Sequence, residues 1–304
     1  MNLRFVEAFY WVASLKSISR AAEKLFLTQS AMSSRIAKLE EELGVLLLDR
    51  SDKQFKLTAA GARFLMHANK LLELQRDAKA EMGSGESAAI SLRIGAIESV
   101  LHSWLIPWLE QLRLEQPCLE LELTVETTPI LNDQIQRGTV DLAFAVLPSS
   151  ADGVRNQALT PMDMAFVGHP ERHAKKKYRL EDLADLELLT FQKGSQPNLT
   201  LLDLFRQHRL QPKKVHAISS ISAMVQLVQG GFGVALLPVA AVERLSGFAS
   251  LRILPCDVAV QSLPIHASYR ADPTSNLLET VVQSALMFAE GAYHAPKKSM
   301  KGKP

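Results

Sequence analysis

The sequence predicts an α/β protein in two parts. Three short helices and a β-hairpin come first, one long helix follows, and a larger unit of alternating strands and helices completes the chain. Three observations predict it. Apolar residues recur at helical spacing through Met1 to Gly44, and then two short apolar runs flank a polar corner. An amphipathic stretch covers about residues 58 to 82 and stops at Gly83-Ser84-Gly85-Glu86-Ser87. From Ile90 onward, strand-like and helix-like runs alternate, which is the pattern of a parallel α/β sheet.

Each element follows from local chemistry. Leu3, Val6, Phe9, Tyr10, Val12 and Ala13 predict a first amphipathic helix over 3–14. "SRAAEKLFL" predicts a second, capped by Ser19. "TQSAMSSRIAKLEEELG" predicts a third, with Thr28 as N-cap and Gly44 as its stop. There Met32, Ile36, Leu39 and Leu43 form one buried stripe, with Ser30, Ser34, Ala37 and Lys38 opposite. "VLLLDR", the corner Ser51 to Gln54 and "FKLT" read as a hairpin, so the first part is a winged helix-turn-helix. In the long helix, Leu65, Ala68, Leu72 and Gln75 make an a/d-like seam that predicts pairing with another helix.

The second part reads strand "ISLRIGA", helix "WLIPWLEQLRLEQP", strand "LELELTVET", helix "PILNDQIQRG" and strand "VDLAFAV". It continues with strands "DMAFVGHP" and "LELLTFQ", helix 199–209, strand "KVHAISS", helix 221–229, and strands "GVALLP" and "LPIHASYR". A last helix covers about 275 to 290, and the basic tail "HAPKKSMKGKP" shows no pattern.

Composition bounds the function. The chain has 304 residues, 47% of them apolar, and 34 basic against 32 acidic residues give a net charge of +2. That balance excludes a histone-like protein but leaves room for local basic patches. Cys118 and Cys256 form no paired motif, so a reducing cytoplasm is expected. Arg4 and Glu7 interrupt the apolar pattern of the N-terminus, against a signal-peptide core, and no apolar run is long enough to predict a membrane span.

The third helix carries the functional signal. Its outer face holds small residues, Ser30, Ala31, Ser33, Ser34 and Ala37, where long charged chains are usual. A major groove ~12 Å wide admits a helix only if its side chains let the backbone approach. Gln29 can pair with adenine N6 and N7, Arg35 and Lys38 suit phosphate or guanine, and the helix N-terminus with Thr28 favours a phosphate. The alternative is that the serines are simply tolerated on a surface.

Residues 1–60 resemble the N-terminal domain of the LysR-type transcriptional regulators. The matching stretches are "FVEAFYWVASLKSISRAAEKLFLTQSAMSSRIAKLEEELGVLLLDR" and "KLTAAG". The α/β order after residue 90 resembles the family's effector domain, so the likeness covers nearly the whole chain. Two positions depart. Leu48 stands where many members carry Phe, and Ser34-Arg35 stands where many carry Arg followed by a polar residue.

The resemblance implies a recognition helix over about 28–43 and a wing with phosphate contacts from Arg50, Lys53 and Gln54. Arg20 is a further backbone contact. It also implies an effector domain of two subdomains, similar to periplasmic binding proteins, with a small ligand between them. The domains are then 1–58 (winged helix-turn-helix), 59–89 (linker and dimerisation helix) and 90–293 (effector-binding), followed by the tail 294–304. Subdomain 1 takes 90–162 and 268–293, and subdomain 2 takes 163–267. The partners implied are double-stranded promoter DNA, a small-molecule effector, a second copy in a homodimer or homotetramer, and RNA polymerase; no membrane is involved.

Strand ends facing a crevice are where open α/β sheets bind ligands. By position these are Ser99 and Val100, Thr127 and Thr128, Gln192, Gly194 and Ser195, Ser219 and Ser220, with His266 on the returning strand. Hydroxyls and helix N-termini suit a carboxylate; read singly, each hydroxyl is a helix cap. Gly230-Gly231-Phe232-Gly233 follows a helix and precedes a strand, the reverse of a phosphate loop. His169 and His173 lack a third ligand, and no nucleophile–base arrangement appears. No catalytic residue, metal or cofactor is therefore expected. The leading reading is an effector-controlled transcriptional regulator. The alternatives are a ligand-independent architectural DNA-binding protein and a small-molecule-binding protein or enzyme.

Overall fold

The computed structural model describes residues 1–49, 55–82, 90–245 and 251–294. Helix α1 (Leu3–Leu15) is capped by the Asn2 side chain and buries Val6, Phe9 and Val12 completely. Helix α2 (Ile18–Lys24) is capped by Ser17, whose Oγ accepts from the Arg20 N–H at 3.3 Å. The cap is therefore Ser17, two residues ahead of Ser19. Helix α3 (Gln29–Leu43) starts at Thr28, which accepts from the Ala31 N–H at 3.2 Å, and ends at Gly44 with φ +68°. Met32, Ile36 and Leu39 are buried.

One carboxylate ties α3 to the hairpin. Glu40 is buried, and its Oε1 accepts from the N–H groups of Leu47 and Leu48 at 2.8 and 3.1 Å. Strands β1 (Leu48–Asp49) and β2 (Lys56–Leu57) pair antiparallel. "KLTAAG" then has a physical explanation. The Thr58 hydroxyl donates to Leu46 O at 2.7 Å and accepts from the Gly61 N–H at 2.9 Å, while a Cβ on Gly61 would lie 2.1 Å from Leu47 O.

Helix α4 (Ala59–Glu81) corrects the seam expectation in part. Ala68 and Leu72 are buried in the same core as α1, and Phe64 meets Phe9 at 5.4 Å. That stretch of the seam is satisfied within the chain. Exposed Met66 and Leu74 lie elsewhere on the helix.

Two five-stranded sheets follow. The first has the order β4-β3-β5-β12-β6. It contains β3 (Ile90–Ala96), β4 (Leu119–Val125), β5 (Leu142–Ala145), β6 (Val154–Met162) and β12 (Leu263–Arg270). The second has the order β11-β7-β10-β8-β9. Its strands are β7 (Met164–Gly168), β8 (Glu187–Thr190), β9 (Lys214–Ala217), β10 (Val234–Pro238) and β11 (Arg252–Ile253). Neither sheet is purely parallel, contrary to expectation. β12 runs antiparallel to β5 and β6, and β10 runs antiparallel to β7, because two strands carry the chain between the sheets.

Strand β6 was not expected from the sequence. It pairs on one side only, with β12, and mixes exposed Arg155 and Asn156 and half-buried Gln157 with Pro161, which an edge strand tolerates. The chain returns to the first sheet at Leu263 rather than residue 268, since β12 pairs with β6 from its first residue.

Helices cover the sheets. α5 (Glu98–Val100) runs through a π-helical turn (Leu101–Leu105) into α6 (Ile106–Glu115), and α7 (Thr128–Arg137) follows β4. The second sheet carries α8 (Leu180–Ala184), α9 (Gln196–Gln207), α10 (Ile221–Gln229) and α11 (Val239–Leu245). α12 (Leu277–His294) closes the first, where Trp108 donates to Ser284 Oγ at 3.1 Å. Trp104 and Trp108 meet Phe144 edge to face at 5.0 and 5.9 Å. No described helix is long and apolar enough to cross a membrane.

Candidate functional site

Two regions gather the expected residues. The first is the outward face of α3. Gln29, Ser30, Ser33, Ser34 and Lys38 are exposed there, Ala31 is half-buried, and the exposed Thr28 hydroxyl lies 3.1 Å from that of Ser30. Arg35 is half-buried and turns toward α1, where its charge acts on Glu7. Burial, with Asp272 nearby, still pushes the Glu7 carboxyl up. Arg20 is half-buried too, and its guanidinium donates to Gln136 O at 3.4 Å in the second part of the molecule. Arg50, Lys53 and Gln54 lie outside the described residues.

The second region is a cleft of about 630 Å³ between the two sheets. One wall comes from the ends of β3, β4 and β5: Ile97 to Ser99, Val125 to Pro129, and Val146 with Leu147. The other comes from Phe191 to Pro197, Leu199 and Ser219. Ser99, Thr127, Thr128, Gln192, Gly194, Ser195 and Ser219 thus meet around one space.

Val100 and His266 do not join them. Val100 is fully buried in the core, and the His266 Nδ1 lies 3.0 Å from Val146 O, behind the cleft wall. Ser220 is committed elsewhere: its hydroxyl donates to Glu98 Oε1 at 3.0 Å and caps α10 through the Ala223 N–H.

The hydroxyls separate into caps and free groups. Thr127 and Ser195 occupy the N-cap positions of α7 and α9 without a side-chain capping bond. The Ser195 Oγ is buried and has no hydrogen-bond partner. Thr128 Oγ1 accepts from the Val146 N–H at 3.3 Å. Gly194 has φ +80°, and a Cβ there would meet nothing within 4 Å, so backbone conformation selects the glycine. The space is lined by two helix N-termini with N–H groups free of side-chain caps, and by apolar Val125, Val146, Leu147, Phe191 and Leu199.

Glu98 is the residue that sequence reasoning missed. It stands on the β3 side, but its Oε2 accepts from the Ile221 N–H of α10 at 2.8 Å, across the cleft. His102 Nε2 lies 3.6 Å from its Oε1. Burial alone would raise this carboxyl; hydrogen bonds from His102, Ile221 and Ser220 hold it below the ordinary range. The sequence signal for it is an acidic residue directly before Ser99 at the end of a strand.

Among the described residues, no cluster of three or more His, Cys, Asp or Glu side chains could hold a metal. His173 Nδ1 instead accepts from the His169 N–H at 3.1 Å.

Residues 3–62 match the family model described as bacterial regulatory helix-turn-helix protein, lysR family. Residues 85–288 match the LysR substrate binding domain. The chain belongs to the LysR family of transcriptional regulators.

Relatives agree along the chain. The transcriptional regulator BenM of Acinetobacter baylyi is 30% identical over 246 residues, covering 78% of this chain and 80% of that protein. The nitrogen assimilation regulatory protein nac of Escherichia coli is 28% identical over 297 residues, covering 94% and 97%. The crystal structure of full-length BenM superposes with a TM-score of 0.56 at 26% identity, covering 96% of this chain and 97% of that one. Full-length CbnR bound to its target DNA shares the fold, with a TM-score of 0.56 at 22% identity and coverage of 95% and 100%. These relatives are regulators. This LysR-family chain is likewise a DNA-binding transcriptional regulator with an effector domain.

Proposed function

We propose that this regulator reads its operator with α3 and is controlled by an apolar carboxylate held in the cleft. The Ser195 Oγ supports the carboxylate most directly: it is buried at the N-terminus of α9, on the cleft, and lacks a partner. A carboxylate supplies an acceptor for that hydroxyl and a negative charge for the uncapped N–H groups of α9 and α7. The apolar wall sets the rest of the ligand's chemistry.

On the DNA side, Thr28, Gln29, Ser30, Ala31, Ser33, Ser34 and Lys38 line the groove face, with Arg35 at its margin. Arg50, Lys53 and Gln54 of the wing, and Arg20 once released from Gln136, meet phosphates. Residues 1–58 bind DNA, 59–89 link and dimerise, and 90–293 bind the effector. Homodimers place two recognition helices about one helical turn, ~34 Å, apart on a two-fold site, and pair further into tetramers. The effector shifts a pre-existing equilibrium between subdomain arrangements. The protein works in the cytoplasm, beside DNA and RNA polymerase, and has no catalytic role.

The test is a thermal-shift panel on the full-length chain with aliphatic and aromatic carboxylates, amino acids and sugar acids. A ligand at ~100 times its dissociation constant adds about 2.7 kcal/mol. A shift confined to carboxylates bearing an apolar body is expected. A shift only with neutral or cationic compounds overturns the reading.

A further inference from the structure

Phe26 lies in the turn between α2 and α3, and it violates two local rules together. Its φ is +53°, in the left-handed region. Its side chain is 91% exposed, more than any other large apolar side chain among the described residues. The turn is a Schellman closure of α2. The Phe26 N–H donates to Glu23 O at 3.1 Å, and the Leu27 N–H donates to Ala22 O at 2.8 Å. The first residue past such a cap is usually glycine, or else asparagine, because a Cβ is strained there. Among the described residues, the other two non-glycine positions with positive φ, Lys16 and Arg209, carry long polar chains.

Glycine or asparagine at position 26 would relieve the backbone and remove an exposed ring. A local rule broken without local compensation points to function. The place names that function. Phe26 stands two residues before Thr28, the N-cap of α3, and exposed Gln29 and Ser30 follow. A recognition helix presents its N-terminal residues to base edges, so this ring stands at the rim of the same footprint. The residues beside it in the turn and cap that reach solvent, Thr28, Gln29 and Ser30, are polar. On a major-groove wall, the group that rewards an apolar side chain is the C5-methyl of thymine.

We propose that Phe26 contacts a thymine methyl at the edge of the α3 footprint and thereby helps to determine sequence preference. The proposal rests on the placement of α3 in the groove.

The test uses the full-length protein and a duplex that it selects from a random library, at one fixed salt concentration. Each thymine is replaced in turn by deoxyuridine, which removes only the methyl group. One position is expected at which uracil weakens binding about tenfold, ~1.4 kcal/mol. Phe26→Asn should lose a similar factor on the thymine duplex and nothing further on the uracil duplex, which is the non-additivity of a direct contact. The same variant should melt at a higher temperature, since asparagine tolerates the left-handed backbone, so weaker binding cannot be a folding defect.

A Phe26→Asn protein that binds the thymine duplex as tightly as the parent overturns the proposal. So does equal loss on both duplexes, or a uracil scan without a sensitive position. Ser34→Glu separates the two readings. If it too binds normally, the placement of α3 fails and takes the Phe26 contact with it. If it loses binding while Phe26→Asn does not, α3 stands and only the Phe26 contact falls.

Discussion

Lys24 Nζ lies 2.6 Å from Asp141 Oδ1, an ion pair that joins α2 of the DNA-binding domain to the residue preceding β5 of the effector domain. Arg93 completes the site, with Nη2 2.8 Å from Oδ1 and Nε 3.0 Å from Oδ2. Nearby, the Arg270 guanidinium donates to Ser14 O at 3.1 Å and Asp152 O at 2.9 Å, and the Tyr10 hydroxyl to Ala271 O at 3.1 Å. At the other end of β5, Val146 lines the cleft. A four-residue strand thus separates the cleft wall from the ion pair that holds the DNA-binding domain.

Asp141 makes stability depend on pH. Burial alone would raise its carboxyl, but Arg93 and Lys24 hold it below the ordinary carboxylate range. A depressed folded value stabilises the protein above the unfolded value, about 3.9, and that contribution disappears as pH falls through the folded value. Asp141→Ala, which leaves two cations facing each other, should cost about 3 kcal/mol at pH 7. Denaturant titrations should show the gap between parent and variant closing below about pH 4. A gap constant with pH would exclude the ion pair as its source.

Gly61→Ala should destabilise the hairpin and the start of α4. The new methyl would meet Leu47 O at 2.1 Å, a backbone atom that cannot move without breaking the Glu40 contacts to Leu47 and Leu48. A loss of about 3 kcal/mol is expected from the forced backbone shift. Thermal melting measures it.

Ser34→Glu should abolish specific DNA binding at unchanged melting temperature. Ser34 is exposed, so the fold does not need it, and a carboxylate there faces phosphates and base acceptors. Fluorescence anisotropy should show affinity falling at least ~100-fold. Unchanged affinity would remove α3 from the groove.

Ser195→Ala should leave the unliganded protein as stable as the parent, because its Oγ has no partner to lose. It should weaken a carboxylate effector about tenfold, near the ~1.5 kcal/mol of a hydrogen bond to a charged group. Calorimetric titration decides, and DNA affinity without effector should not change.

The DNA-binding half was legible because its signals are local. Thr28, Gly44 and the stripe Met32, Ile36, Leu39 follow from helix capping and period alone. The cap of α2 went to Ser17 instead of Ser19, a choice between two equivalent hydroxyls that only the entry angle of the chain decides. In the cleft, position along the chain located Thr127, Thr128, Gly194 and Ser195, because strand ends and helix starts show in the pattern. Pattern could not separate a capping serine such as Ser220 from an open one such as Ser195, nor exclude the buried Val100.

By itself, then, the sequence determined most helices, the two ends of α3, the hairpin, most strands and the family, since each depends on residues a few positions apart. Tertiary structure decided the rest: the antiparallel return of β12, the edge strand β6, the Glu98 bridge to α10, and the Lys24–Asp141 pair. Those contacts join residues more than a hundred positions apart, or strands whose neighbours no local period encodes. Burial and charge select them only once the chain has already brought the partners together.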